Sequence, residues 1–425
     1  MADKNRLVII TSVVSERMKY IAETIFQERL GVNYLLTDKE QEINSKDCVI
    51  EYNLQRHTKY DFIRANSFIL ETTISKNFKP EVKGEQENLM LFPAPDGIFE
   101  MDIFSAIFYC LSHYDAYTSN EKDQHGRVLF KKWFPRTSGL DTLPYVEIWL
   151  SKLTSYLESR GLACQKEEFE LNITFDIDHF FLIDQRTIWQ HIRGSIGDLI
   201  RLDFFYLLKR WLIILGLTED PAERFFDLLD YQGYKKLTFF ILMKQGRNNS
   251  LNPLNDLKKL LIKRLKKYGE VGLHPSYYCM DKPNLVQEEK EQLTQIVEQP
   301  ITDVRYHFLR VKFPEAFYTL VKNGIQKDQT IGYYDQPGFL SSTCRSYYFF
   351  DPEKNQKLNL IIEPFVWMDS MNRYYRKIDE REERTELHHL KEIVRKYNGK
   401  FSVVFHNDSM VDRKYRMLFK SLLFN

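Results

Sequence analysis

The chain has 425 residues, of which 43% are hydrophobic and 28% are charged. That length exceeds one ordinary hydrophobic core and predicts two domains of roughly 150 to 250 residues each. The 60 Lys and Arg residues balance the 59 Asp and Glu residues to a formal net charge of +1. Because such a chain has no global field to concentrate a polyanion, we expect no nucleic-acid partner.

Neither a leader peptide nor a membrane span is expected. A polar start precedes a short apolar run at residues 7–10, without a signal-peptide pattern, which predicts a cytoplasmic protein. The most apolar later stretch, residues 211–217, is too short to cross a bilayer and predicts a buried core segment. The five cysteines are scattered and form no CxxC pair, so we expect reduced, mostly packed thiols.

The first part of the chain reads as a small α/β domain. Strand-like runs occur at 7–10 and 47–52, with a helical pattern at 16–28 between them. Helical stripes at 102–113 and 143–157 complete the domain, and a polar stretch follows. We therefore place the N-terminal α/β domain at residues 1–165.

Residues 166–425 alternate between strand and helix patterns. Strands are predicted near 169–177, 237–243, 270–273, 303–309 and 401–405, and helices are predicted at 254–267, 287–297, 314–322 and 379–396. Strict alternation implies a mostly parallel sheet, and about 250 residues favour a closed or partly closed (β/α) barrel. Such barrels carry their chemistry at the carboxyl ends of their strands.

Two carboxylates end the first strand of this domain. Asp176 and Asp178 are two positions apart on an extended segment, so their side chains point to the same side and would repel each other. A cation would relieve that repulsion. The alternative is a pair of Asp residues that only cap a turn.

Imidazoles end other strands. His274 follows an apolar approach and precedes a proline, Arg305 and His307 fall on one face of the next strand, and His406 ends the last one. A lone strand-end His is more often a structural residue, so only the combination with the Asp pair indicates a site. Together they suit metal-activated hydrolysis with a base, an acid and a charge partner.

Several segments resemble the NodB-type polysaccharide deacetylases, which are carbohydrate esterase family four in the wide sense. The resemblance is to an atypical bacterial branch with an extra N-terminal domain. The segments are TFDIDH at 174–179, EVGLHPSY at 270–277, RYHFLR at 305–310, the GI..D.TIGY pattern at 324–333, GFLSSTCRSYYFFD at 338–351 and VVFHN at 403–407. The resemblance implies a distorted (β/α) barrel, preceded by a smaller α/β domain, that removes acyl groups from an N-acylated sugar.

By position, the resemblance implies four catalytic residues. Asp176 resembles the general base and His406 the general acid, while Arg305 resembles the arginine that orients the base. Asp328 resembles the acidic residue near the sugar site and the catalytic histidine. The products would be an amino sugar and acetate.

The resemblance also implies a divalent metal, with zinc expected. Asp178 and His274 match the first two ligands, but Tyr278 stands where the family has a second histidine. His307 or His179 is the expected substitute, and His307 is favoured.

A second function stays open at this stage, because Leu340 also replaces an arginine common in this branch. A non-catalytic relative with a degenerate metal site would bind a glycan or associate with polysaccharide-biosynthesis enzymes. The aromatic run at 347–350 would stack on sugar rings in that case, or else form a core strand. The catalytic interpretation predicts a carbohydrate substrate from an envelope or capsule precursor, and a retained metal separates the two.

Overall fold

The structure is a computed structural model that describes residues 6–12, 14–76, 78–118, 121–180, 188–200, 204–218, 220, 223–230, 237–244 and 254–424. These residues form two compact units. The first comprises Met1–Leu171, Leu309–Trp367 and His389–Ser402, and the second comprises Asn172–Phe308, Met368–His388 and Val403–Asn425. The predicted division into domains at residues 165 and 166 stays a prediction.

The described strands are numbered in chain order. They are β1 (Leu7–Ile10), β2 (Tyr34–Thr37), β3 (Cys48–Asn53), β4 (Asp61–Arg64), β5 (Val82–Lys83), β6 (Met90–Leu91), β7 (Glu170–Ile177), β8 (Leu237–Leu242), β9 (Gly269–His274), β10 (Asp303–Val304), β11 (Lys327–Asp328), β12 (Tyr347–Asp351), β13 (Gln356–Ile362), β14 (Trp367–Met368) and β15 (Lys400–His406).

The described α-helices follow the same order. They are α1 (Glu16–Ala22), α2 (Ile103–Leu111), α3 (Tyr114–Thr118), α4 (Phe134–Ser138), α5 (Tyr145–Ser159), α6 (Ile188–Ile200), α7 (Phe204–Ile214), α8 (Glu223–Asp230), α9 (Asp256–Leu265), α10 (Asn284–Val297), α11 (Glu315–Lys322), α12 (Glu380–Lys396) and α13 (Arg413–Phe424).

The first unit contains a four-stranded parallel sheet in the order β2-β1-β3-β4. Its central strand β1 is buried along its whole length, and α1 continues as a π-helix over Glu23–Arg29. Helix α2 is also fully buried, and Asp102 caps it by accepting hydrogen bonds from the backbone N–H groups of Phe104 and Ser105. The unit also holds the strands β12-β13-β11, in which β13 is parallel to β11 and antiparallel to β12.

The second unit holds β10, β9 and β8 whole, with β7 from Asn172, β15 from Val403 and Met368 of β14, in the order β10-β9-β8-β7-β15-β14. The pairs β7–β8, β8–β9 and β9–β10 are parallel. Apolar and aromatic side chains fill the strands, and residues 173–177 at the end of β7 are all buried. The carboxyl ends of these parallel strands therefore meet at one edge, where polar side chains can converge.

The predicted α/β class is confirmed by the parallel sheets. Closure into a barrel is not confirmed, because the row of strands in the second unit is open over the described residues. The strand predicted at 303–309 is too long: β10 ends at Val304, and a 3₁₀ turn follows over His307–Leu309 with positive φ at Phe308 and Leu309. That turn takes His307 out of the sheet.

Two apolar segments have opposite outcomes. The stretch 211–217 is not a core segment, since Leu215 and Leu217 are exposed and Ile213 is its one buried residue. Hydrophobicity alone does not say which way a side chain faces.

Residues 347–350 form most of β12, with three of the four buried, which agrees with a core strand rather than a sugar-stacking surface. Among the described residues, no helix combines the length and hydropathy that a bilayer span requires.

Candidate metal centre

Three side chains converge in the second unit, two from strand ends and one from the turn after β10. Oδ1 of Asp178 lies 3.4 Å from Nε2 of His274 and 3.6 Å from Nε2 of His307. The three candidate ligand atoms all lie within 4.8 Å of one another. Asp178, His274 and His307 are the three residues expected to bind metal, with His307 in the place of the missing family histidine.

The spacing of these atoms fits ligands of a common ion better than hydrogen-bonded partners. An N–H···O hydrogen bond spans about 2.7 to 3.2 Å, which is shorter than either distance here. By contrast, two ligands about 2.1 Å from a tetrahedral zinc ion lie about 3.4 Å apart. The set of one carboxylate and two imidazoles also suits zinc and related divalent ions, with a coordination position left for water or substrate.

Strand register explains why Asp178 and His274 meet. Ile177 pairs with Ile241, and Ile241 pairs with Leu273, so these three residues stand at one level of the sheet. Asp178 directly follows Ile177 at the end of β7, and His274 directly follows Leu273 as the last residue of β9. A carboxylate and an imidazole therefore leave the sheet edge at the same height, on strands that flank β8.

Backbone contacts hold the two imidazoles. Nδ1–H of His274 donates to the carbonyl oxygen of Arg305 at 2.5 Å, which leaves Nε2 as the atom turned toward Asp178. Such a hydrogen bond to the second ring nitrogen fixes the tautomer and orientation of metal-binding histidines. The backbone N–H of His307 donates to the carbonyl oxygen of Pro275 at 3.1 Å. The positive φ of Phe308 then bends the chain directly after this residue.

The local charges favour an ionised carboxylate at the centre. Burial opposes the charge of Asp178, but the imidazoles of His307 and His274 outweigh it and hold its pKa well below the ordinary value. An anionic oxygen ligand is therefore present across the neutral pH range. His274 is almost fully buried, whereas the Asp178 side chain is 19% exposed, so solvent reaches the group from the carboxylate side.

A separate hydrogen-bond chain orients Asp176. Nη1 of the fully buried Arg305 donates to Oδ1 of Asp176 at 2.9 Å and to Oγ1 of Thr174 at 2.7 Å. The guanidinium also packs over the Phe240 ring at 4.5 Å. The other carboxylate oxygen of Asp176 lies 3.9 Å from Nε2 of His274, beside the ligand atoms.

His406 forms a second type of site, an imidazole held by a carboxylate. Its Nδ1–H donates to Oδ1 of Asp369 at 2.6 Å, and its backbone N–H donates to Oδ2 at 2.7 Å. Burial disfavours the imidazolium, but Asp369 and the more distant Asp178 and Asp176 reverse the balance and raise the pKa of His406 to about 10. His406 is therefore a proton donor at neutral pH.

Asp369 was missed by the sequence analysis. It directly follows the two-residue strand β14, which adjoins β15 in the sheet. The signal available was an acidic residue after the apolar run 365–368, but that run is too short to predict a strand.

Two exposed rings were also missed. Phe308 is 43% exposed, with its ring 4.6 Å from the His307 ring between centroids. The phenol of Tyr374 is exposed and lies within electrostatic range of the Asp178 carboxylate. The exposed ring of Phe308 therefore lies beside one candidate ligand.

The remaining predicted positions lie elsewhere or have other contacts. Asp328 is a buried residue of β11 in the first unit, where it accepts a hydrogen bond from Thr330, so its proposed role near the site stays a prediction. His179 is not part of the three-residue ligand group, and its backbone carbonyl accepts a hydrogen bond from Asn407. The ring of Tyr278 packs edge-on against Tyr277, and Leu340 is buried in the first unit.

Comparisons with known proteins give a limited result. Residues 7–162 match the model of a family of unknown function, DUF7033. A search of curated proteins found no match. Among solved structures, the chain is similar to a protein from Mycobacterium smegmatis that is provisionally described as a polysaccharide deacetylase. The identity is 11%, the TM-score is 0.39, and the similarity covers 61% of this chain and 85% of the other. The structural similarity to a polysaccharide deacetylase is therefore distant.

Proposed function

We propose that the second unit is a metal-dependent hydrolase that removes an acyl group, expected to be N-acetyl, from an amino sugar of a polysaccharide or envelope glycan precursor. The carrying observation is the spacing of Asp178, His274 and His307, which suits a shared divalent ion. A base and an acid candidate, Asp176 and His406, each with its own orienting partner, support the same function.

The candidate ligand set fits a divalent cation, with zinc expected, because two imidazole nitrogens and one carboxylate oxygen lie within 4.8 Å of one another, in a mostly buried group. When bound, such an ion polarises a carbonyl group and lowers the pKa of a coordinated water. The protein residues must then move two protons.

Asp176 is the proposed general base. Arg305 holds one oxygen of its carboxylate, which leaves the other facing the ligand atoms. From there Asp176 can take the proton of the attacking water. Arg305 is a positioning residue, since its guanidinium is fully buried behind the carboxylate.

His406 is the proposed general acid. Asp369 fixes its Nδ1–H and keeps the ring protonated, so that Nε2–H can be donated to the leaving amine. The side chain is 18% exposed, which leaves it open to a bound substrate.

The sugar class of the substrate comes from the motif resemblance, and the site agrees with it. A sugar ring has apolar C–H faces, which can lie on aromatic rings such as those of Phe308 and Tyr374. We also propose residues 1–165 as an accessory domain. The family match at 7–162 falls inside that range.

The test measures acetate release from N-acetylglucosamine oligosaccharides, together with metal content by elemental analysis. Asp176→Asn should retain the metal and lose at least about 100-fold in turnover, the usual range for a general base. Asp256→Asn, on an exposed helix of the same unit, is the matched control and should be as active as the wild type.

Two outcomes would overturn the proposal. Full activity in Asp176→Asn would show that Asp176 is not the general base. A wild-type protein that retains no metal would show that the three residues do not form a metal centre. A protein that retains metal and binds the oligosaccharide in calorimetry but releases no acetate would support the non-catalytic alternative.

A further inference from the structure

Helix α6 presents its apolar side chains to solvent. Six large apolar residues fall within about 120° of arc at 3.6 residues per turn. All six are exposed, with Trp189 at 76% and Ile200 at 78%: Ile188, Trp189, Ile192, Ile196, Leu199 and Ile200. A surface helix of a globular protein normally turns such a stripe inward.

The neighbouring face of α6 is polar and buried. His191, Ser195 and Asp198 have at most 9% of their surface exposed. Asp198 forms an ion pair with the buried Arg210 of α7, with 2.8 Å between Nε and Oδ2. Arg210 packs so closely on Gly194 that a Cβ added there would lie 2.6 Å from the guanidinium. The helix is therefore inside out, with its polar side chains packed and its apolar side chains in water.

Helix α7 continues the exposed apolar surface. Phe204, Leu208 and Trp211 of α7 are spaced by four and three residues, which places them on one stripe, and all are exposed, as is Leu215 directly after the helix. Soluble monomers rarely leave a contiguous apolar surface of this kind uncovered.

The charges of the two helices select an occupant. Within α6 and α7 the charged residues are Arg193, Asp198, Lys209 and Arg210. Asp198 and Arg210 neutralise each other in the interior. Arg193 and the half-exposed Lys209 are left, so among the described residues of these two helices the charge that remains outside the ion pair is positive.

We propose that the α6–α7 helix pair lies in the surface of an anionic lipid membrane and attaches the second unit to it. Exposed Trp, Phe, Leu and Ile side chains with cationic residues at the border are the composition of an interfacial helix. Lengths of 13 and 11 residues are too short for a span. Lipid also explains the inside-out pattern, since acyl chains solvate the apolar stripe while the ion pair stays in protein. The inference is independent of the metal centre.

The chain carries its own probe for this surface. Of its five tryptophans, Trp133, Trp149 and Trp367 are buried, and the two exposed ones, Trp189 and Trp211, belong to α6 and α7. We expect the full-length protein to co-sediment with vesicles of phosphatidylcholine and phosphatidylglycerol, with a blue shift of tryptophan emission. Binding to vesicles of phosphatidylcholine alone should be weaker.

Substitutions separate the apolar and charge contributions. The double variant Ile196→Ser, Leu208→Ser should weaken vesicle binding by more than about tenfold, because two inserted apolar side chains are lost. Arg193→Gln should weaken binding to anionic vesicles by about fivefold, the effect of one cation near the surface. Leu260→Ser is the matched control, since Leu260 of α9 is 63% exposed, close to the 60% of Leu208, but lies outside the patch.

Three results would overturn the proposal. The first is a wild type that fails to bind anionic vesicles at low salt. The second is a double variant that binds these vesicles as well as Leu260→Ser does. The third is a wild type that is a dimer by light scattering and binds no vesicles, together with a double variant that is a monomer. That result would assign the patch to a second copy of the chain. Unchanged thermal unfolding of each variant shows that it is folded.

Discussion

Among the described residues of the second unit, histidine and aspartate side chains lie close together at His406 and at Asp178, and the two places differ in the distance between nitrogen and oxygen. At His406 and Asp369 the nitrogen and oxygen are 2.6 Å apart, which is a charge-assisted hydrogen bond. At Asp178 the nearest nitrogens of His274 and His307 are 3.4 and 3.6 Å away, longer than an ordinary hydrogen bond and close to the spacing of two ligands on one ion. The same residue types thus form a hydrogen-bonded ion pair in one place and a candidate ligand group in the other.

The difference teaches that composition alone does not identify a metal site. At His406, Nδ1–H is used on the Asp369 carboxylate, and among the described residues this pair does not belong to a group of three candidate ligand atoms. At His274, Nδ1–H is used on a backbone carbonyl while Nε2 faces the Asp178 carboxylate at 3.4 Å.

The largest effect is expected from removal of a ligand. His307→Ala should weaken binding of zinc by more than about 100-fold, because outer-shell partners alone contribute about 10- to 100-fold. The measurement is elemental analysis after dialysis, followed by titration of the chelated protein with zinc. His389→Ala is the control, since His389 is an exposed residue of α12.

Equal metal content in the two variants would remove His307 from the ligand set. In that case the 3.6 Å distance to Asp178 would be an incidental approach, and His179 would be the next candidate for the third ligand.

The next effect concerns Asp176, which should behave as a member of a buried ion pair. Arg305→Met leaves the carboxylate buried without its cation, which should lower the free energy of unfolding by about 3 to 5 kcal/mol. Arg64→Met is the contrast: Arg64 pairs with Asp96, but both side chains are more than 40% exposed, so a loss below about 1 kcal/mol is expected.

Denaturant unfolding of both variants in the presence of EDTA measures this difference. Similar losses in the two variants would mean that other groups stabilise the Asp176 carboxylate, and that Arg305 is not its main partner.

The strands β7, β8, β9 and β15 and the helices α9 and α10 were predictable from sequence, whereas α6, α7 and α8 between β7 and β8 were not predicted. The run 169–177 is rich in β-branched and aromatic residues, and β7 spans all but its first residue. The prediction failed where tertiary structure decides. Residues 305–309 have a strand-like composition, but they leave the sheet in a turn. Residues 211–217 are apolar yet exposed.

The site was predictable in part for a related reason. Asp178 and His274 stand at strand ends, and a parallel register brings such ends together. The motif resemblance favoured His307, although only the three-dimensional turn explains how it reaches Asp178. Asp369 could not be paired with His406 from sequence, since 37 residues separate them and β14 has two residues.

The pH dependence of stability tests the ion pair between His406 and Asp369. The pKa of His406 is raised from 6.5 to about 10, so the folded protein holds this proton more tightly than the unfolded chain. The stabilisation is therefore complete below about pH 6.5 and is lost as the pH rises toward about 10. Asp369→Asn keeps an acceptor for the backbone N–H of His406 but removes the charge.

Unfolding free energies of the wild type and Asp369→Asn, measured in EDTA, should therefore converge as the pH rises. The gap should narrow steadily as the pH rises through that window. A gap that is constant with pH would show that Asp369 contributes only a neutral hydrogen bond.

The smallest effect is expected at Tyr278, which stands where the resembled family has a histidine ligand. If His307 supplies the third ligand, the phenol has no part in the centre, and Tyr278→Phe should bind zinc within about twofold of the wild type. Its stability should change by less than about 0.5 kcal/mol, because the ring is partly exposed and its edge-on packing against Tyr277 is kept. A tenfold loss of zinc affinity would instead make the phenol oxygen a ligand. The zinc titration used for His307→Ala decides between these outcomes, because a group that leaves the affinity unchanged when removed cannot be the third ligand.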